Sequence, residues 1–189
     1  DHWNYSLGFD SQADIPLQAV HKGNEGKSYQ FGMNWQANES RKAGMNYQLT
    51  DIDDGNTRNE LGIYFTQRVQ ANPHHITDIT LRTYLGQNDK QDVDYFSPKQ
   101  SHSIEATLEH DWMTWRDYDR HFNQHFEATL GSFGQTGQSD KALYNLFYQH
   151  EWQLSRTWRL NYGVGWGVHP YDGDDEDKTY AVVGFEGRF

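Results

Sequence analysis

The chain has 189 residues, with 16 Lys+Arg against 27 Asp+Glu, a formal charge of −11 and no cysteine. Only 35% of the residues are hydrophobic, yet 15% are aromatic; the aromatics exclude disorder, and the missing thiols exclude cysteine nucleophiles, thiolate metal sites and disulfides. No run approaches the roughly 20 apolar residues of a membrane-spanning helix, and no basic stripe offers itself to nucleic acid.

Asp1-His2-Trp3-Asn4 has no signal-peptide pattern, so any targeting segment is expected to have been removed. Residues 3–9 and 16–22 open a series of segments in which apolar and polar residues alternate. Tyr29, Phe31, Met33 and Trp35 oppose Gln30, Asn34 and Gln36; Met45, Tyr47 and Leu49 oppose Lys42, Asn46 and Gln48. Leu61, Ile63, Phe65 and Val69 then oppose Glu60, Tyr64 and Arg68, and Ile79, Leu81 and Leu85 oppose Asp78, Arg82 and Tyr84. The later segments are cleaner. Ile104, Ala106, Leu108 and Trp112 alternate with Glu105, Glu109 and Asp111, and Phe122, Phe126, Ala128 and Leu130 with His121, Asn123, His125 and Glu127. Tyr144, Leu146, Tyr148 and Trp152 alternate with Asn145, Gln149 and Glu151; Trp158 to Val168 and Ala181 to Phe189 close the series. This predicts about eleven strands and no helix, each strand roughly the 9–11 residues that cross a bilayer at a tilt.

The connections test that reading independently. They alternate between long (50–58, 87–100, 132–140, 169–177) and short (71–74, 115–118, 153–156), as the external loops and periplasmic turns of outer-membrane barrels do. The predicted fold is therefore all-β, a transmembrane antiparallel up-and-down barrel. A water-soluble β-sandwich would need a second apolar face, and the opposite faces here carry Glu, Asn, His and Arg. Trp3, Trp35, Trp112, Trp115, Trp152, Trp158 and Trp166 near strand ends suit interfacial girdles. The terminal Phe189, in line with Phe185, Val183 and Ala181, suits a barrel's last strand.

Five strings stand out in order: Asp14-Ile15-Pro16-Leu17-Gln18-Ala19, Thr50-Asp51-Ile52-Asp53-Asp54-Gly55-Asn56-Thr57-Arg58, Asp94-Tyr95-Phe96-Ser97-Pro98, Thr114-Trp115-Arg116 and Pro170-Tyr171-Asp172-Gly173. Together they resemble the C-terminal barrel of the poly-β-1,6-N-acetyl-D-glucosamine export porins, the PgaA/HmsH family, over essentially residues 1–189. Gln18 stands where the family pattern has Arg. The resemblance implies a sixteen-stranded barrel of a Gram-negative outer membrane, of which this chain supplies the later eleven or twelve strands. It implies that the N-terminal strands and a periplasmic helical-repeat domain are absent from this chain. It also implies export of partly deacetylated polymer for the biofilm matrix, with periplasmic synthesis and deacetylation machinery as partners and no enzyme activity, cofactor or metal in this segment.

The alternation places Glu60, Asp78, Glu105, Glu109, Asp111, Glu127, Glu151 and Glu186 inward, against Lys42, Arg68, Arg82, Arg159 and Arg188. An acidic but mixed lumen would attract the ammonium groups of deacetylated sugars while holding each weakly; alternatively the charges pair across strands and hold the barrel's shape. Tyr64, Tyr84 and Trp115 are candidates for stacking on sugar rings, with a place in the interfacial belt as the rival for Trp115. Asp51, Asp53 and Asp54, with Asp172, Asp174 and Asp175, form external acidic clusters. The second of these lacks the spacing of a calcium loop. His121, His125 and Glu127 on one strand face are the candidates for an outer-membrane hydrolase, and a general diffusion porin or another exopolysaccharide exporter are further alternatives.

Overall fold

The computed structural model describes residues 2–12, 15–171 and 174–188. Ten strands form one sheet in sequence order: β1 Trp3–Asp10, β2 Gly26–Asn38, β3 Arg41–Ile52, β4 Thr57–Ala71, β5 His75–Asn88, β6 Gln100–Asp117, β7 Arg120–Gln135, β8 Lys141–Gln153, β9 Trp158–Tyr171 and β10 Asp174–Gly187. β1 and β10 are the end strands of this order. The chain divides into two compact units. The first is Asp1–Phe65, Leu81–Ile104 and Ser132–Lys141; the second is Thr66–Thr80, Glu105–Gly131 and Ala142–Phe189.

In the first unit, antiparallel register sets Leu7 beside Phe31 and Phe31 beside Tyr47, with Phe9, Tyr29 and Leu49 in the next row. Leu7 is 86% exposed and Phe9 61%. The opposite face holds Ser6, Gly8 and Asp10 beside Gly32, Gln30 and Ser28, and Ser28 is buried. In the second unit Leu146 pairs with Trp166 and Tyr148 with Val164, and Val164 pairs onward with Ala181. These are the residues that decide between barrel and sandwich, because a sandwich would bury them. Leu146, Tyr148, Val164 and Trp166 are all exposed, Val164 by 60%. Among the described residues the buried set is dominated by polar side chains such as Asn56, Thr50, Thr66 and Thr107, with Ile15, Ala19, Ile52, Tyr95, Phe133 and Leu143 as its apolar members. Such an inside-out distribution suits hydrocarbon on the apolar face.

Glycines on the polar face make room for rings. A side chain at Gly44 would collide with the ring of Tyr64, and one at Gly165 with the ring of Tyr180, so each tyrosine lies across a backbone that only glycine leaves bare. At the ends with short turns the outward aromatics pair up: Trp3 with Trp35 (centroids 6.2 Å apart), Trp112 stacked on His75 (5.6 Å), Trp152 on Phe122 (4.2 Å) and Trp158 on Phe185 (4.9 Å). Such pairs suit an interfacial girdle.

Three expectations change. Residues 16–22 are not a strand: Leu17–His21 form α1, so ten strands replace about eleven. Pro16 caps the helix with its carbonyl, accepting from the Ala19 and Val20 amides, and Gly23 at φ +84° ends it. Most connections are shorter than expected, at 53–56, 89–99 and 136–140 on one side and 72–74 and 118–119 on the other, while 154–157 keeps the expected length and 39–40 adds a further short turn. The strands are correspondingly longer. β6 has 18 residues, or about 60 Å at roughly 3.3 Å per residue, well beyond the hydrocarbon thickness. Above the bilayer a strand loses its apolar alternation but keeps its ladder. The expected long loop at 169–177 is one such case, since Asp174 pairs with Tyr171 and Asp175 with Pro170. The terminal Phe189 lies outside the described residues.

Candidate functional site

The polar face of the first unit is built from residues that occupy one another. The Tyr64 hydroxyl donates to Asn34 Oδ1 (2.8 Å) and the Tyr84 hydroxyl to Glu60 Oε1 (2.7 Å). Both tyrosines expected to meet sugar therefore have their hydroxyls fixed and their rings held in place. Glu60 is a partner for Tyr84 rather than a bare carboxylate.

In the second unit the Arg68 guanidinium grips Asp78 with two parallel bonds of 2.8 and 2.9 Å. Asp78 is 9% exposed, so of the two readings of this residue the cross-strand pair wins. Threonine pairs continue the wall, Thr66 with Thr80 and Thr107 with Thr129, each at 2.9 Å. Asp111 Oδ1 lies 2.8 Å from His125 Nδ1, and Glu109 and Glu127 act on the same imidazole. Glu151 stands 3.9 Å from both His121 and Arg159, and Glu105 is engaged within the protein. The structure thus pairs His125 with Asp111 and sets His121 near Glu151. His121 and His125, the hydrolase candidates, each face a carboxylate of their own. Neither bonds a serine or threonine hydroxyl among the described residues. Trp115, 44% exposed near the 118–119 turn, carries the Arg120 guanidinium 5.9 Å over its ring, which suits the belt.

At the long-loop end of the first unit a clasp forms from three of the five sequence strings. Asn56 is fully buried: its Nδ2 donates to Tyr95 Oη and Ser97 Oγ (both 3.1 Å), and its Oδ1 accepts from the Lys90 amide (2.9 Å). The Tyr95 hydroxyl donates to Asp54 Oδ2 (2.8 Å), and Arg58 reaches Asn88 Oδ1 and the Phe96 carbonyl. Beneath this network Ile15, Ala19, Ile52 and Tyr95 make a small apolar core with Val93 packed on it. Ile52 belongs to the polar face by its register, in line with Thr50 and Gln48, so α1 and residues 89–99 are folded onto that face. Burial raises the Tyr95 phenol above its ordinary range, and the Lys22 ammonium 2.8 Å from Asp94 holds that carboxyl below its own.

The clasp reassigns the external acidic residues. Asp54 is spent on Tyr95 and the Asn56 amide, and Asp51 accepts from the Thr57 hydroxyl. Asp53 is exposed. Asp174 and Asp175 sit in β10 rather than in a loop, and Asp172 lies outside the described residues. Sequence reasoning missed Asn56 as a keystone. The Asp-Gly-Asn turn signal was visible, but the burial depends on Tyr95, 39 residues away. No group of three or more His, Asp or Glu side chains among the described residues is disposed to hold a metal ion.

Residues 1–189 match the family model described as the PgaA membrane beta barrel domain. The chain is 29% identical over 190 residues to the poly-beta-1,6-N-acetyl-D-glucosamine export proteins of Escherichia coli K12 and O157:H7, a match covering all of this chain and 24% of theirs. It is also similar to a solved bacterial polysaccharide outer membrane secretin, with a TM-score of 0.91 and 28% identity over the whole chain and 65% of that structure. The chain therefore spans about a quarter of the length of its curated relatives. With an inside-out sheet and a family match along its full length, the chain belongs to the PgaA membrane β-barrel domain family.

Proposed function

We propose that this chain forms part of a Gram-negative outer-membrane pore through which a polysaccharide leaves the cell, and that the polymer is partly deacetylated poly-β-1,6-N-acetyl-D-glucosamine. The observation that carries the reading is the polar face itself, where tyrosine rings laid over glycine and carboxylates already matched to neighbours line a wall that can touch a sugar chain without gripping it. Aromatic and carboxylate groups suit sugar rings and ammonium groups, and conduction requires contacts weak enough to release. Family membership supports the export role. The long-loop end then lies outside the cell and the short-turn end in the periplasm. Further strands ahead of β1 complete a sixteen-stranded barrel, preceded by a periplasmic helical-repeat region that receives polymer from the synthesis and deacetylation machinery.

The test is export from cells lacking the full-length exporter, complemented with the parental protein or with a His121→Ala/His125→Ala variant. An exporter restores surface polymer in both cases. Loss of export in the double-histidine variant with normal barrel assembly would favour a catalytic role, and conductance for unrelated small solutes without polymer preference would favour a diffusion porin.

A further inference from the structure

Two neighbouring short turns at the end of the second unit border a charged recess at the mouth of the polar face. The turns 118–119 and 154–157 are tied by Arg156 Nε to Asp119 Oδ2 at 2.6 Å. Beside this tie opens a recess of about 480 Å3, whose charged lining includes Arg116, Arg156, Arg159 and Arg188 against Asp119 and Glu186. Arg156 is matched by Asp119; Arg159 has Glu151 at 3.9 Å and Glu186 opposite it in register. Arg116 and Arg188 have no carboxylate within ion-pair distance among the described residues. In a chain of net charge −11, a recess lined by four guanidiniums against two carboxylates marks a place for an anion. They would repel an ammonium-bearing polymer.

The rim says what kind of anion. A second recess of about 420 Å3 adjoins the first, sharing Tyr118, Asp119, Arg156 and Thr157 with it and adding Leu154. Tyr118 is 91% exposed and Leu154 44%, at the tips of turns pointing away from the apolar band. Tyr118 also has φ +51°, at a hairpin position that glycine or asparagine fills without strain. A tyrosine kept at that cost, fully exposed and beside arginines, has the composition of a protein-contact surface, where Tyr and Arg anchor binding. A small oxyanion would need the arginines but not the exposed tyrosine and leucine.

We infer that the 118–119 and 154–157 turns form a docking surface for a periplasmic protein segment presenting paired carboxylates next to an apolar side chain. The inference rests on the membrane orientation of the proposed function and not on which polymer crosses. The test is a binding titration on the purified full-length exporter in nanodiscs, with no export step, so that failure of the polysaccharide reading and failure of this one are distinguishable. The probe is a fluorescent hexapeptide alternating Glu and Leu, with an alternating Lys and Leu hexapeptide, inorganic phosphate and phosphatidylglycerol vesicles as comparisons. The expected result is salt-sensitive binding of the acidic peptide alone. It should be weakened about tenfold or more by Arg116→Gln/Arg188→Gln, since two charge-assisted contacts are lost. Tyr118→Gly should weaken it about fivefold while keeping or improving the protection of the β6–β7 hairpin, because the turn is relieved. Equal binding of the basic peptide, equal competition by phosphate, attachment of vesicles through the same residues, or affinity within twofold in the double-arginine variant would each overturn the inference.

Discussion

Replacing Asn56 by Ala isolates the clasp from the sheet that carries it. The side chain is fully buried and supplies three hydrogen bonds: two donated, to Tyr95 and Ser97, and one accepted from the Lys90 amide. Tyr95 and Ser97 keep other work, since their hydroxyls donate to Asp54 and to the Lys90 carbonyl. The Lys90 amide is left without this acceptor. Two ordinary bonds at about 0.5–1.5 kcal/mol each, plus an orphaned amide at about 1–3 kcal/mol, add up to roughly 2–4 kcal/mol once partial resolvation is allowed. That is a local cost, confined to α1 and residues 88–99, because β3 and β4 are held by their own ladders. Amide exchange of residues 88–99 should accelerate by about thirty- to several hundred-fold at 1.4 kcal/mol per decade, with little change at Leu146–Trp166. Unchanged exchange over 88–99 would refute the idea that Asn56 holds the clasp. Equal acceleration in β8 and β9 would refute its locality.

Three further perturbations separate paired from available charge. Arg68→Ala deprives the nearly buried Asp78 of its guanidinium and should cost on the order of 2–4 kcal/mol in urea unfolding, whereas Arg68→Met/Asp78→Leu should cost less because no charge is stranded; equal costs would count against the pairing argument. Neutralising Glu105, Glu109 and Asp111 together, which lie along about 20 Å of β6, should reduce export of deacetylated polymer without reducing folded barrel in the membrane. Parental export would leave them as structural groups. Lowering the pH should loosen the end of α1 against residues 89–99 slightly: Asp94 is depressed by the exposed Lys22, so this small contribution is present above the ordinary carboxylate pKa of about 4 and lost as pH falls through the lower folded value. Protease susceptibility at 15–24 should rise in acid and in Asp94→Asn alike. Identical acid sensitivity in parent and variant would assign the effect to another group.

The strands were legible because lipid on one side and water on the other force a period of two, as Leu146, Tyr148, Val164 and Trp166 show. The helix was not. Ile15, Leu17 and Ala19 fall at i, i+2 and i+4 and imitate a strand, and only Pro16 and Gly23 contradict that spacing. Ile15 and Ala19 are buried against Ile52 and Tyr95 while Leu17 is 75% exposed, a division set by tertiary contact. Loop lengths were misread where strands continue beyond the bilayer, as at Asp174 and Asp175, because nothing apolar marks them there. At the site, alternation put the carboxylates on one face of their strands. It could not say which are taken, since that depends on neighbouring strands: Asp78, gripped by Arg68, is spent, whereas Glu109 and Glu127 accept no hydrogen bond among the described residues.

That division bears on how a charged polymer could move over such a wall. A bare carboxylate in a confined, partly dry passage would hold an ammonium strongly, and a row of them would stop a chain with many ammonium groups. On the proposed function, resident partners solve this. An arriving ammonium competes with His125 for Asp111, with Tyr84 for Glu60, and with Arg159 and His121 for Glu151. Each exchange returns a partner to the carboxylate as the polymer moves on, so the net gain per contact is a difference between two interactions rather than a whole one. Tyrosine rings over glycine add contact area that does not depend on charge state, which lets acetylated and deacetylated units pass the same wall. Arg116 and Arg188 at the short-turn end take no part in this exchange, and the acidic segment inferred to dock there would meet them before the polymer does.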